Sequence, residues 1–147
     1  MANLYGKKAK SPAFMPVDGC AIQIADTIAL TANPTAADVI NFKLPAGIEL
    51  GSLEIKCDDL DTHGTPTLVF GVGYAPVDSD SSLSASATAF AAAGQTTAQA
   101  GGTLKCSFHP IKFEEDVYVT LTIGTASATF AAGSISMIAV GSAIGPK

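Results

Sequence analysis

Arginine and tryptophan are missing from this chain, and all eight basic residues are lysines. Arginine is the side chain best shaped to read phosphate and guanine, and nucleic-acid binders carry a basic footprint. Here eight basic residues face thirteen acidic ones, a net charge of −5, so no nucleic-acid partner is expected. Charged residues of either sign make up only 14% of the chain. Long apolar runs are absent too: nothing approaches the roughly 20 apolar residues of a membrane-spanning helix, and no membrane partner is expected. No apolar run of about seven residues follows the N-terminal lysines, so no secretory leader is expected and synthesis in a cytoplasm is. Cysteine is scarce, with three residues. An odd number without a leader argues against a disulfide framework. Cys57 and Cys106 continue apolar strand alternations and read as small core residues, while Cys20 is uninformative.

Reactive constellations are equally thin. There is no G-x-S-x-G nucleophile elbow and no glycine-rich phosphate loop. The two histidines, His63 and His109, are too few to argue for a triad. A zinc site drawn from Cys57, His63, Cys106 and His109 lacks the paired spacing that zinc ligands show. The carboxylates of Asp58, Asp59 and Asp61 offer oxygen ligands for Ca²⁺, but their spacing is not that of an EF-hand loop. A solvated acidic loop that discourages edge pairing is the simpler reading. Glu114, Glu115 and Asp116 read as solvent-facing acids at a strand start. No catalytic residue, metal ligand or cofactor is assigned, and the chain is expected not to be an enzyme.

What the sequence does contain is strand periodicity. Val117, Val119, Leu121 and Ile123 alternate with Tyr118, Thr120 and Thr122, the pattern of a half-buried strand. Further strands are predicted over 21–31, 39–44, 48–58, 67–74, 103–108, 126–131 and 134–140. Asp26 interrupts the inward parity of the first of these, which marks an edge, a bulge or an interface. A parity shift near Gly51 and Ser52 predicts a bulge in the third. Residues 78–102 are rich in Ser, Ala, Thr, Gln and Gly and read as an insertion covering one end of the fold. A short helix over 82–93 fits the alanines and the seven-residue spacing of Leu83 and Phe90. About seven or eight short strands with regular turn signals give an all-β antiparallel sandwich, jelly-roll-like, over residues 18–147.

Residues 1–17 read as an extended arm. Lys7, Lys8 and Lys10 place +3 in the first ten residues, which hold no acid, against −8 in the remainder. Tyr5, Phe14 and Met15 add apolar anchors. A basic arm ahead of an acidic body suits docking on a neighbour, or steers encounter with one. Gly71 and Gly73 on one strand face predict close approach by another backbone or a second subunit.

The segment FKLPAGIELGSLEIKCDDLDTHGTPTLVFGVG, with the C-terminal DVYVTLTIGTASATFAAGSISMIAV, resembles small β-rich structural proteins of tailed bacteriophages over residues 39–140. The resemblance implies a capsid decoration, or cement, protein that is often trimeric, sits on the outer surface of the virion and clamps major capsid subunits. It implies no catalytic motif. Under it, Tyr5, Lys7, Lys8, Lys10, Phe14 and Met15 are the expected capsid contacts. Gly71, Gly73 and Phe90 are the expected subunit interface, the major capsid protein is the partner, and the chain itself is a homotrimer. The alternatives are another virion β-module, such as a head fibre, tail-tube or baseplate component, and a carbohydrate-binding sandwich. The last would need exposed aromatics for sugar stacking.

Overall fold

The computed structural model describes residues 1–7 and 20–145. Among them are ten strands and one short 3₁₀ turn: β1 (Asn3–Tyr5), β2 (Ala21–Leu30), β3 (Val39–Leu44), β4 (Ile48–Cys57), β5 (Val69–Pro76), β6 (Ser86–Gln95), the turn at Thr97–Gln99, β7 (Gly102–Lys105), β8 (Ile111–Phe113), β9 (Val117–Thr125) and β10 (Gly133–Ala143). One sheet runs β1-β3-β9-β5-β6. The other runs β2-β10-β4-β7, with β8 pairing the first part of β4. All pairings are antiparallel except β1 on β3.

Counting β2 as the first strand and β7 with β8 as one interrupted sixth, the sheets read 1-8-3-6 and 2-7-4-5. That is jelly-roll order, two interlocked Greek keys. Successive strands keep crossing between the layers, so nearly every contact is remote in sequence. The inward parity of each strand supplies the core. Ile40, Phe42 and Leu44 of β3 meet Val117, Val119 and Leu121 of β9 in one sheet, and Leu53, Ile55 and Cys57 face them from β4. An aromatic group closes one region: Tyr74 packs against Phe90 at 5.9 Å and Phe113 at 5.3 Å, and Phe90 stacks edge-on against Phe108 at 4.8 Å.

The bulge read at Gly51 and Ser52 is present. Val140 pairs with Ser52 and Gly141 with Leu50, so Gly51 is the extra residue on β4. Asp26 lies buried on β2, an edge strand of its sheet. Two readings need correction. Residues 86–95 form strand β6, not a helix, and the 78–102 stretch supplies a sheet edge rather than a cap over one end. Residues 126–132 are loop, apart from a single bridge between Phe130 and Asp61. Alanine's helix propensity is a weak prior. It is overridden here by Phe90, which is 2% exposed in the core, and by the open hydrogen-bonding edge of β5. β6 carries more residues than the strand it follows: Phe70 pairs with Gln95, Val72 with Ala91 and Tyr74 with Ser86. A bulged edge of this kind is a poor template for further strand addition.

Candidate interaction surfaces

The acidic cluster around Asp58, Asp59 and Asp61 is used for scaffolding at its centre. Asp61 is 1% exposed. Its carboxylate accepts backbone N–H groups of Thr67 at 2.7 Å, Leu68 at 3.1 Å, Ala128 at 3.0 Å and Thr129 at 3.0 Å. Burial by itself would raise its pKa, but the N–H groups of Thr129, Thr67, Ala128 and Leu68 outweigh that and hold the carboxyl well below its ordinary range. Asp59 Oδ1 accepts the Asp61 N–H at 3.1 Å and Asp58 Oδ2 accepts the Ser134 N–H at 2.8 Å. The three carboxylates are therefore held apart by separate backbone donors. Leu60 between them is fully buried, and its carbonyl accepts the Ser127 hydroxyl at 2.9 Å.

Leu60 and Asp61 form a buried knot that ties the β4–β5 loop to the β9–β10 loop, while Asp58, Asp59 and residues 62–65 around it are exposed, so the solvated acidic loop suggested by composition holds for all of the segment but its centre. The β2–β3 loop joins it through Asn33, whose side chain exchanges two hydrogen bonds with the Ser127 backbone. The β6–β7 turn joins through the Leu60 N–H to the Ala98 carbonyl at 2.9 Å. Asp38 closes the same end, accepting the Ala2 N–H at 2.7 Å and the Thr35 N–H at 2.9 Å; those two bonds lower its pKa.

Among the described residues no three His, Cys, Asp or Glu side chains are grouped as metal ligands. All three cysteines are free thiols. Burial pushes Cys57 up to about 12, with the Asp58 charge adding to it, and pushes Cys106 up to about 11. Both stay protonated and poorly nucleophilic. At the opposite end of the sandwich, Lys43 pairs with Asp116 at 3.0 Å and Asp116 also accepts the Ala46 N–H at 2.8 Å. The Ser81 hydroxyl donates to Glu115 beside an open cleft floored by Leu83 and Phe113.

The first seven residues are built into the body. β1 adds to the edge of β3, the Gly6 N–H bonds the Asn41 carbonyl at 2.7 Å, and the Lys7 N–H reaches Thr27 on the other sheet at 3.3 Å. A side chain at Gly6 would collide with the Asp26 carboxylate and with Phe42 at 2.6 Å, so the chain crosses between the sheets where only glycine fits. Tyr5, 36% exposed, packs edge-on against Tyr118 with ring centres 5.6 Å apart. Lys7 is exposed. Lys8, Lys10, Phe14 and Met15 lie outside the described residues. Strand β1 had no signal in the sequence, since three residues are too few to show a period.

Gly71, Gly73 and Phe90 lie inside the protomer. The backbone that approaches the two glycines is the chain's own β6. A Cβ on Gly71 would meet Ala93 Cα at 3.2 Å, and one on Gly73 would collide with Ser86 and with Ala87 Cα at 2.7 Å. The extra residues of β6 thus fold over the outward face of β5. Together with Tyr5 over Tyr118, they leave Asn41 and Thr120 only 5% exposed on that face.

The outward face of β2 and β10 has a different character. Val140, 41% exposed, projects from it beside Gln23. Across the same strands the Thr27 and Ser136 hydroxyls bond each other at 2.8 Å.

Two solved structures share this architecture over nearly the whole chain. A chain from the capsid of Ralstonia phage GP4 is 26% identical, with a TM-score of 0.73 over 99% of this chain and 100% of that one. A chain of the cyanophage Pam1 capsid asymmetric unit is also 26% identical, with a TM-score of 0.69 over 92% of this chain and 95% of that one. No family model matches the chain, and no curated protein does.

Proposed function

We propose that this chain is a structural component of a phage capsid, and within that class a decoration protein that binds the outside of the head and stabilises contacts between major capsid subunits. The observation that carries the capsid reading is the two-way coverage: 99% of this chain superposes on 100% of a GP4 capsid chain. Nothing large is inserted or missing on either side, so the likeness extends to the whole unit and not to a shared sub-motif. A structural role without catalysis agrees with carboxylates that are consumed by backbone donors and with thiols held in the protonated form.

The decoration role rests on the charge layout. A +3 segment of ten residues precedes a body carrying −8. Lys7, at the last described position of the N-terminal segment, is exposed and leads toward Lys8 and Lys10. A cationic tether suits an acidic shell surface, and many weak repeated contacts suffice when copies bind side by side. Major capsid protein is the proposed partner, a homotrimer the proposed form and the outer virion surface the proposed location.

The test is co-sedimentation of purified chain with phage heads prepared without it. Because residues 1–7 include strand β1, deleting the whole arm would also strip an edge strand from β3 and confound the reading of its charges. The informative variant replaces Lys7, Lys8 and Lys10 with Gln. Saturable binding by the wild type and loss of binding by the triple variant support the proposal. Heads that fail to assemble at all without the chain would instead make it a shell-forming subunit. Intact heads that bind neither form would end the decoration reading.

A further inference from the structure

We propose that the cleft at the end of the sandwich opposite Asp61 takes an extended segment of another protein that carries lysine or arginine. The cleft holds about 550 Å³ and is lined by Ser82, Leu83, Lys112, Phe113, Glu114 and Glu115, a size within the roughly 300–1,000 Å³ of ligand sites. Its floor is apolar and fixed. Phe113 is 2% exposed and packs edge-on against Tyr74 at 5.3 Å, and Leu83 is half-buried against the same core. Its rim is acidic. Residues 77–85 and 113–116 meet there, with the Val77 N–H bonded to the Asp116 carbonyl at 3.1 Å. Those two stretches hold Asp78, Asp80, Glu114, Glu115 and Asp116, five of the chain's thirteen acids, and no lysine. Asp116 is engaged by Lys43. Lys112, the cation among the lining residues, pairs with Glu49 on β4 at 3.7 Å.

The occupant follows from the pairing of floor and rim. Lysine and arginine carry an aliphatic stem that favours apolar surface and a charged head that seeks carboxylates, which matches both parts of the cleft. A bare cation would gain nothing from Leu83 and Phe113, and no three His, Cys, Asp or Glu side chains are grouped as metal ligands among the described residues. The Ser81 hydroxyl donates to Glu115, and its oxygen accepts the Leu83 N–H at 2.9 Å. One residue thus fixes a rim carboxylate and a floor residue together, and a site ordered in advance costs less to bind. Asp78 and Asp80 are exposed on the loop that forms one wall of the cleft. They extend the negative rim beyond the reach of one side chain, which suits a segment with several cations better than a single small amine. Charge complementarity of this kind speeds encounter and is screened by salt. The inference stands independently of the capsid reading.

The probe is a capped heptapeptide alternating lysine and leucine, titrated into the full chain by calorimetry and followed through the NMR signals of Leu83 and Phe113. Saturable binding is expected, with both signals shifting and the affinity falling as salt rises. The same peptide with serine in place of leucine is expected to bind at least fivefold more weakly, and with glutamate in place of lysine not at all. Glu114→Gln with Glu115→Gln, which keeps an acceptor for Ser81, should weaken binding at least tenfold with an unchanged circular dichroism spectrum and Tm. Glu54→Gln with Asp59→Asn removes the same charge away from the cleft and should leave binding within twofold. Leu83→Ser gives a second reading, through the floor, should the paired glutamine variant fold poorly. No saturable binding up to about 1 mM, the range of a weak single contact, overturns the proposal. So does equal binding of the serine peptide, or an equal loss in both charge-removing pairs, either of which is the behaviour of long-range attraction to an acidic body. Leu83 signals that move when the chain alone is diluted would make the occupant a second copy and overturn it as well.

Discussion

The placement of β6 makes Gly73→Ala a discriminating substitution. A methyl group there would overlap the Ser86 carbonyl and lie 2.7 Å from Ala87 Cα. Both neighbours are backbone, so no side-chain rotamer relieves the overlap. One escape is for β5 and β6 to shift apart, with a typical overpacking cost of about 1–3 kcal/mol. The other is for β6 to lift, which withdraws Phe90 from its contacts with Tyr74 and Phe108. Losing a buried Phe altogether costs about 3–5 kcal/mol. The expected destabilisation therefore lies between about 1 and 5 kcal/mol, a Tm drop of roughly 3–15 °C for a domain of this size. Urea unfolding with an unchanged m-value reads the same quantity. Gly64→Ala is the control, since a Cβ there meets nothing within 4 Å; it should stay within about 0.5 kcal/mol of wild type. Had residues 82–93 been a helix packed elsewhere, Gly73→Ala on an open strand would be neutral or stabilising by up to about 1 kcal/mol. A neutral or stabilising result would refute the crossing of β6 over β5.

Other consequences are equally direct. Asp61 and Asp38 have folded pKa values below the unfolded value of about 3.9, so the unfolded state binds more protons there and stability drains as pH falls below about 4. The stability gap between wild type and Asp61→Asn should narrow across that range, and a gap independent of pH would contradict the carboxylate's role. Cys57 and Cys106 have raised folded values, so their contribution is whole below the unfolded thiol pKa of about 8.5 and is lost as pH rises past it toward 11–12. Both should resist iodoacetamide at pH 8 until urea unfolds the chain; labelling of the native protein at the rate of a small-thiol control would show that they are not held this way. Gly6→Val should unseat β1 without unfolding the body, seen as faster proteolysis at the N-terminus with the main unfolding transition retained. Equal proteolysis of the two forms would mean that the crossing at Asp26 and Phe42 is not tight.

The sandwich was legible because its core strands are long and strongly alternating. The inward residues of β3 and β9, and of β4 on either side of Gly51, sit where period two puts them, and the parity slip at Gly51 located the bulge. Three things were hidden, each for a physical reason. β6 has an alanine-rich sequence whose local preference points to helix, and only the edge of β5 and the pocket for Phe90 decide otherwise. β1 is shorter than one period. Strand pairing depends on residues far apart in sequence, so strand number and turn spacing reached a jelly-roll-like sandwich without assigning which strand lies beside which. The candidate surfaces were legible only in part. Composition located the basic segment, and the strand pattern showed that a backbone comes close to Gly71 and Gly73 without showing that it is their own chain's β6.

That ambiguity follows from what glycine and acidic residues signal. Paired glycines on a strand report that a backbone comes close, and say nothing about which chain owns it. Clustered acids report that carboxylates are needed, and say nothing about whether the donors are a cation or amides. At Asp61 the donors are five backbone N–H groups from two loops, which does locally what a bound metal ion does in other small β-domains: it fixes loops that lack regular hydrogen bonding. A scaffold that spends its polar residues in this way keeps its loop end rigid without a ligand. Among the described residues no buried side-chain nitrogen or oxygen lacks a partner. Surface recognition is then left to faces and to the basic N-terminal segment. Substituting Lys7, Lys8 and Lys10 should accordingly alter binding and leave the Tm within about 1 °C, because exposed charges contribute little to folding. Substituting Asp61 should lower the Tm and leave binding by the intact fraction unchanged. If the Asp61→Asn protein, still folded by circular dichroism, lost shell binding in proportion to the lysine variant, the division between a rigid interior knot and a recognising exterior would be wrong.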